Sequence, residues 1–311
     1  MRAYRVAYDG TAYRGFQRQP DVHTVSDAIL DALRALDVLE PGAVPAGYAA
    51  AGRTDAGVSA THQTVAFEGP DWLEPAALNA ELPADIRAWA SAEVPADFHA
   101  THDASCREYT YSHHTGSDGG PTGGDGVPAV HLDRARKAAA ALSGEHDFHN
   151  LTTDDTGTVR DLDVVCETEG PFLVLTVRAD GFPRQLVRRL VTVIAEVARG
   201  EVEVAPGEVE VAPGEAEVAP GEVEVAPGEA EVAQAGDDTA RIERLLGAEP
   251  VEGPRGVEPA PAHPLVLTDV TYPGVEFAVD ESAAASAREV FEARRRRLAT
   301  RARVAGRLRD R

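Results

Sequence analysis

Apolar and polar positions alternate along Arg2-Ala3-Tyr4-Arg5-Val6-Ala7-Tyr8, which predicts a strand at the start of the chain. Thr24 with Asp27 three residues on is a capping-box-like helix start. Val25, Ile29, Ala32, Leu33 and Leu36 then keep helical spacing, so this segment is scaffold. His62 to Phe67 alternates like a half-buried strand, Pro75 to Leu82 reads as a short helix, and Ile86 to Val94 as another strand. By about residue 97 a strand–helix–strand–helix–strand unit is complete, enough for one layer of helices on a sheet.

A second unit opens near Phe98-His99-Ala100. In Cys106 to Tyr111 the alternation puts Tyr109 and Tyr111 on one strand face. Leu132 to Leu142 is an alanine-rich helix closed by Gly144. Two strands, Arg160 to Cys166 and Phe172 to Arg178, are joined through Gly170-Pro171. Pro183 stands where a helix could begin, and Leu186, Leu190, Val193, Ile194 and Val197 form its apolar stripe. Arg241 to Gly247 reads as a short helix and Leu265 to Pro273 as the last strand. The expected division is 1–97, 98–276 and an arginine-rich helical tail, 277–311.

Two stretches break the pattern. Gly116 to Gly126 is glycine-rich without a phosphate-loop motif and is expected to be a flexible insert. Residues 201 to 233 hold five near-copies of Glu-Val-Glu-Val-Ala-Pro-Gly, with ten glutamates and no basic residue. Pro-Gly closes each of the first four copies and would break any helix, so the expectation is a disordered acidic insert over 200–236 with no catalytic role.

Charge changes the picture next. The net charge is −22 over 311 residues, yet Lys137 is the only lysine among 30 basic residues. Carboxylates on the surface with lysine replaced fit a salt-rich cytoplasm. The tail from Arg288 to Arg311 opposes this trend, with ten arginines against Glu289, Glu292 and Asp310. Its basic face suits RNA phosphates or the protein's own acidic surface. No apolar run approaches a membrane span, and the first strand lacks the apolar core of a signal peptide, so a cytoplasmic protein with no membrane association is expected. Cys106 and Cys166 are too few for a disulfide framework and lack zinc-site spacing.

Candidate chemistry gathers at Ala51-Gly52-Arg53-Thr54-Asp55-Ala56-Gly57-Val58. Glycines on both sides of one carboxylate let backbone and substrate approach closely. Taken locally, the stretch reads first as an ordinary Asx-turn. Tyr8 to Gln19 mixes aromatic, amide and arginine side chains that suit bases and phosphates. Tyr109 and Tyr111 serve equally as core or as a platform for a base. Arg184 and Arg188 lie at the edge of a helical stripe, where a carboxylate or phosphate partner is expected and a snorkelling surface arginine is the alternative.

Together these segments resemble the tRNA pseudouridine synthase A family over most of residues 4 to 275. The resemblance rests on Gly52-Arg53-Thr54-Asp55-Ala56-Gly57-Val58, on Tyr8-Asp9-Gly10-Thr11 with Gly15-Phe16-Gln17-Arg18-Gln19, on Arg107-Glu108-Tyr109-Thr110-Tyr111, and on Phe182 with Leu186-Val187-Arg188. It implies an α+β fold of two similar halves, each a largely antiparallel sheet with helices on one face, with a catalytic cleft between them. It also implies a homodimer that isomerises uridines 38, 39 and 40 of the tRNA anticodon stem-loop. By the same resemblance Asp55 is the catalytic aspartate and Tyr109 stacks on the target base. Arg188 pairs with the carboxylate, and Arg53 helps displace the base. The reaction detaches uracil at N1 and rejoins it through C5 to the same C1′, so no cofactor or metal is expected. A carboxylate can serve there as nucleophile or as base at the sugar. Ser59 where the family commonly has His, and Phe16 where Trp is frequent, are departures that bear on substrate preference. The competing expectations are an RNA-binding protein without catalysis and an acidic interaction protein recruiting partners through its repeat.

Overall fold

The computed structural model describes residues 1–115, 131–200, 240–251 and 256–309. The expected glycine-rich insert, 116–126, and the acidic repeat, 201–233, both lie outside the described residues. The chain forms two compact units. The first comprises 1–111, 178–181 and 261–311, and the second 112–177 and 182–260. This partition differs from a division at residues 97 and 276. The reason is strand pairing: most of β5 and the whole C-terminal segment belong with the first strands.

The first unit contains β1 (Arg2–Tyr8), α1 (Val25–Ala35), β2 (Ala49–Ala50), β3 (Ser59–Phe67), α2 (Pro75–Glu81), β4 (Ile86–Glu93) and most of β5 (Cys106–His114). Its sheet runs β10-β4-β1-β3-β9-β5, where β9 (Leu265–Thr271) and β10 (Ala278–Val279) come from the C-terminal segment. Every pairing is antiparallel except β3 with β9, which is parallel at Ser59↔Val266. Ala3 to Tyr8 are all buried, which explains why Arg5 inside β1 is fully engaged. Arg5 donates to the Val270 carbonyl at 2.6 Å and to Thr64 Oγ1 at 3.0 Å, and its guanidinium lies 4.2 Å from the Phe277 ring centre. On α1 the Thr24 hydroxyl accepts from the Asp27 amide, the expected cap.

The second unit contains the end of β5, α3 (Leu132–Leu142), β6 (Gly144–Asp147), β7 (Val159–Glu169), most of β8 (Phe172–Ala179), α4 (Leu186–Arg199) and a short α5 (240–246). Its strands are ordered β8-β7-β6, and α3 packs on β7 and α4. Both units are α+β, as expected. Helix α4 starts at Leu186 instead of Pro183, because Gln185 takes a left-handed conformation with φ 60°. Strands β2, β6 and β10 were not expected. They are two to four residues long, and β6 (Gly144-Glu145-His146-Asp147) has no apolar alternation to reveal it.

The C-terminal segment forms one helix, α6 (Glu281–Arg309). Among the described residues, no helix is long and apolar enough to cross a membrane, and no group of three His, Cys, Asp or Glu residues is placed to hold a metal ion. Cys106 and Cys166 are free thiols.

Candidate active site

The Asp55 turn joins β2 to β3 in the first unit. The Val58 amide donates to the Asp55 carbonyl at 3.1 Å, and Gly57 between them has φ 86°. Positive φ at the third position is what a type II turn requires, and glycine supplies it without steric cost. Asp55 is half-buried, Arg53 is exposed and Thr54 is buried.

Four elements hold this turn. From β1, the Tyr8 hydroxyl lies 2.7 Å from the Thr54 hydroxyl in a buried contact. From the loop after β1, the Phe16 amide donates to the Thr54 carbonyl at 3.0 Å. From β3, the Gln63 side chain brackets Gly52, donating to its carbonyl at 2.9 Å and accepting from its amide at 3.3 Å. From β5, Arg107 Nε donates to the Ala51 carbonyl at 2.9 Å, while its other nitrogens donate to the Asp180 and Thr101 carbonyls. A carboxylate on such a turn keeps its direction, because both flanking peptide units are fixed.

Tyr109 stands beside this frame. Its hydroxyl lies 3.5 Å from where a side chain on Gly52 would begin. Its ring is buried on β5 together with that of Tyr111, so the two tyrosines share a face as the alternation predicted. Burial first, then the neighbouring Tyr8 and the Asp55 charge push the Tyr109 hydroxyl above the usual phenol range, against the opposing pull of Arg107. Tyr8, fully buried, is pushed up to about 12 by burial against its bonds to Thr54 and Gln63. Both phenols are therefore neutral near pH 7.

The structure thus brings Asp55, Arg53 and Tyr109 into one unit, with the Asp55 charge felt at Tyr109. Arg188 belongs to the second unit. It is half-buried on the first turn of α4, where its Nε donates to the Ala260 carbonyl at 2.6 Å and its own carbonyl accepts from the Ala260 amide. Arg184 was expected at the edge of the helical stripe, but it precedes α4, is exposed and lies 3.8 Å from Asp154.

Sequence reasoning gave no role to Thr54, Gln63 or Arg107. Only Arg107 had a signal, the period-two spacing that puts it on the face of Tyr109 and Tyr111; Thr54 and Gln63 have polar neighbours on both sides, and all three turn out to be buried. A buried polar group needs partners, and here the partners are the backbone of the Asp55 turn.

A family model described as tRNA pseudouridine synthase matches residues 138–208. Over nearly its whole length the chain is 49% identical to the tRNA pseudouridine synthase A of Natronomonas pharaonis, covering 99% of this chain and 98% of the relative. The chain belongs to the tRNA pseudouridine synthase A family. The Haloarcula marismortui tRNA pseudouridine synthase A is 50% identical over 100% of this chain and 99% of its own. That of Archaeoglobus fulgidus is 33% identical over 90% and 87%. Among solved structures, an archaeal box H/ACA sRNP Nop10–Cbf5 complex overlaps 63% of this chain and 43% of its own at 16% identity, with a TM-score of 0.30, too slight a likeness to bear on fold or function. As a member of the tRNA pseudouridine synthase A family the chain is an isomerase, a tRNA pseudouridine synthase.

Proposed function

We propose that this tRNA pseudouridine synthase modifies the anticodon stem-loop, at uridines 38, 39 and 40, with Asp55 as its catalytic carboxylate. The observation that carries the reading is the turn of Asp55, fixed through Tyr8, Gln63 and Arg107 beside the Tyr109 hydroxyl. An ionised aspartate can act at the sugar while the N1–C1′ bond breaks and the C5–C1′ bond forms. The proton lost from C5 is balanced by the one gained at N1, so the reaction is an isomerisation and calls for no cofactor.

Tyr109 takes the displaced uracil against its ring, which recovers part of the few kcal/mol that unstacking a base costs. Arg188 serves as counter-ion to the carboxylate. Arg53, exposed and two residues from Asp55, occupies the space the base vacates. The enzyme works as a cytoplasmic homodimer in a salt-rich cell, a reading supported by family likeness and by composition.

The test is pseudouridine mapping on full-length tRNA and on anticodon-arm RNA at high salt. Wild type is expected to modify positions 38 to 40, and Asp55→Asn and Asp55→Ala to lose activity by about a thousandfold or more. Full activity in Asp55→Asn removes the aspartate from the mechanism. Pseudouridine at other tRNA positions alone overturns the anticodon assignment. Light scattering that reads a monomer mass removes the dimer.

A further inference from the structure

Helix α6 has two parts. Its first part is packed: Ala283, Ala284 and Ala287 are buried, and Arg294 forms an ion pair with Asp9 and donates to Thr11 Oγ1 at 3.0 Å. From Arg295 to Arg309 every residue is exposed except Gly306, which is half-buried. That is about 22 Å of helix at 1.5 Å per residue, continuous with the anchored part. Between Arg294 and Arg309 there are eight arginines and no acidic residue. Arg295 and Arg296 pair with Glu292 one turn back. Arg297, Arg301, Arg303 and Arg307 make no ion pair among the described residues, and they form two like-charged pairs one turn apart, 297 with 301 and 303 with 307. Like charges at that spacing weaken a helix, so the arm carries repulsion that an anionic partner would relieve.

The anchor fixes where the arm stands. Asp9, which Arg294 holds, caps the 3-10 turn Gly10–Ala12. A side-chain carbon on Gly10 would fall 1.9 Å from the Val58 carbonyl oxygen at the end of the Asp55 turn. The root of the arm and the Asp55 turn are thus in direct packing succession within one unit.

We propose that the exposed half of α6 is an accessory docking surface for the phosphate backbone of the RNA substrate, away from the reacting nucleotide. This rests on the reading of the chain as a tRNA-modifying enzyme. Arginines on several sides of the arm match a polyanion, whose charges recur along its strand. A second copy of the same helix fits poorly, because two arms side by side would set arginine against arginine. A membrane surface fits poorly too. The exposed Leu298, Val304 and Leu308 do not gather into a clean apolar face, since at about 100° per residue Arg297 and Arg301 fall among them.

The experiment uses the full chain with Arg297, Arg301, Arg303 and Arg307 changed together to Gln, and a second variant with all four changed to Lys. Binding of unmodified tRNA transcript is measured across the salt range in which circular dichroism shows each protein folded, beside single-turnover pseudouridine formation at saturating enzyme. Wild type converting the tRNA secures the underlying reading on its own. The Gln variant is then expected to bind about tenfold or more weakly at the lowest salt. Its plot of log affinity against log salt becomes shallower by about 2 to 4, since each phosphate contact contributes about 0.7 to 0.9. Its saturated single-turnover rate stays within about twofold of wild type, and the Lys variant keeps the wild-type slope. Unchanged affinity and slope in the Gln variant overturn the proposal. So does a Lys variant as impaired as the Gln variant. A change of assembly mass in light scattering, or loss of binding to phosphatidylglycerol vesicles with tRNA affinity intact, assigns the arm to another partner and also overturns it.

Discussion

The Tyr8 hydroxyl has two partners, the Thr54 hydroxyl at 2.7 Å and the Gln63 amide at 3.3 Å, and all three side chains are buried. Tyr8→Phe leaves the ring in place and deprives Thr54 and Gln63 of a partner, which should cost about 1–3 kcal/mol. A denaturant titration of both proteins reads this directly. The same hydroxyl gives a pH signature. Its ordinary value is 10.0 and burial raises it to about 12, so the neutral form is favoured by folding. That contribution is fully present below pH 10 and is lost as pH rises through about 12. Wild type should therefore lose Tm across this window more steeply than Tyr8→Phe. Parallel curves for the two proteins would contradict the assignment. Much at this scale was legible: the glycines around Asp55 announced a turn, and period-two spacing put Tyr109 with Tyr111. The clamps were not, because Tyr8 with Thr54, Gln63 with Gly52 and Arg107 with Ala51 meet only once the sheet order is known.

Among the elements, the contact between the 3-10 turn and the Asp55 turn leaves no room for a side chain. In Gly10→Ala the new carbon would meet backbone at 1.9 Å, which no rotamer change relieves, so the two loops must separate. The expected result is a loss of a few kcal/mol in stability and a fall of about a hundredfold in pseudouridine formation, since a displacement near 1 Å is enough for that. A Gly10→Ala enzyme with wild-type rates would show that the turn tolerates movement. The cap of α1 is a milder case. Thr24→Ala should cost about 1 kcal/mol in thermal or chemical unfolding, because the Thr24 hydroxyl accepts from the Asp27 amide at the start of α1. Long periodic elements such as α1, β4 and α3 were readable from spacing. The start of α4 was not: a proline at a permissible first position gave way to a left-handed Gln185, a backbone choice set by local geometry and invisible to periodicity.

For the whole molecule, a net charge of −22 with a single lysine predicts a fold that depends on salt. Carboxylates crowd the surface, and counter-ions are needed to screen their mutual repulsion. Helical circular dichroism and Tm should fall as salt is dialysed away and return when it is restored. A protein equally stable in low salt would refute the adaptation. The sheet of the first unit has a further consequence, one that concerns order in time. Its strand β3 is flanked by β9, and Arg5 finds its carbonyl acceptor at Val270. During synthesis, the ribosome makes the first 111 residues and then roughly 150 more before those partners emerge, about 7 to 30 s later at common elongation rates. Until then a nascent chain carries an open strand edge and an Arg5 guanidinium that has its Thr64 partner but lacks the Val270 carbonyl and the Phe277 ring. A message cut short before Leu265 therefore yields a product that cannot finish its first domain. Such fragments should be cleared by proteolysis instead of accumulating as inactive competitors for RNA.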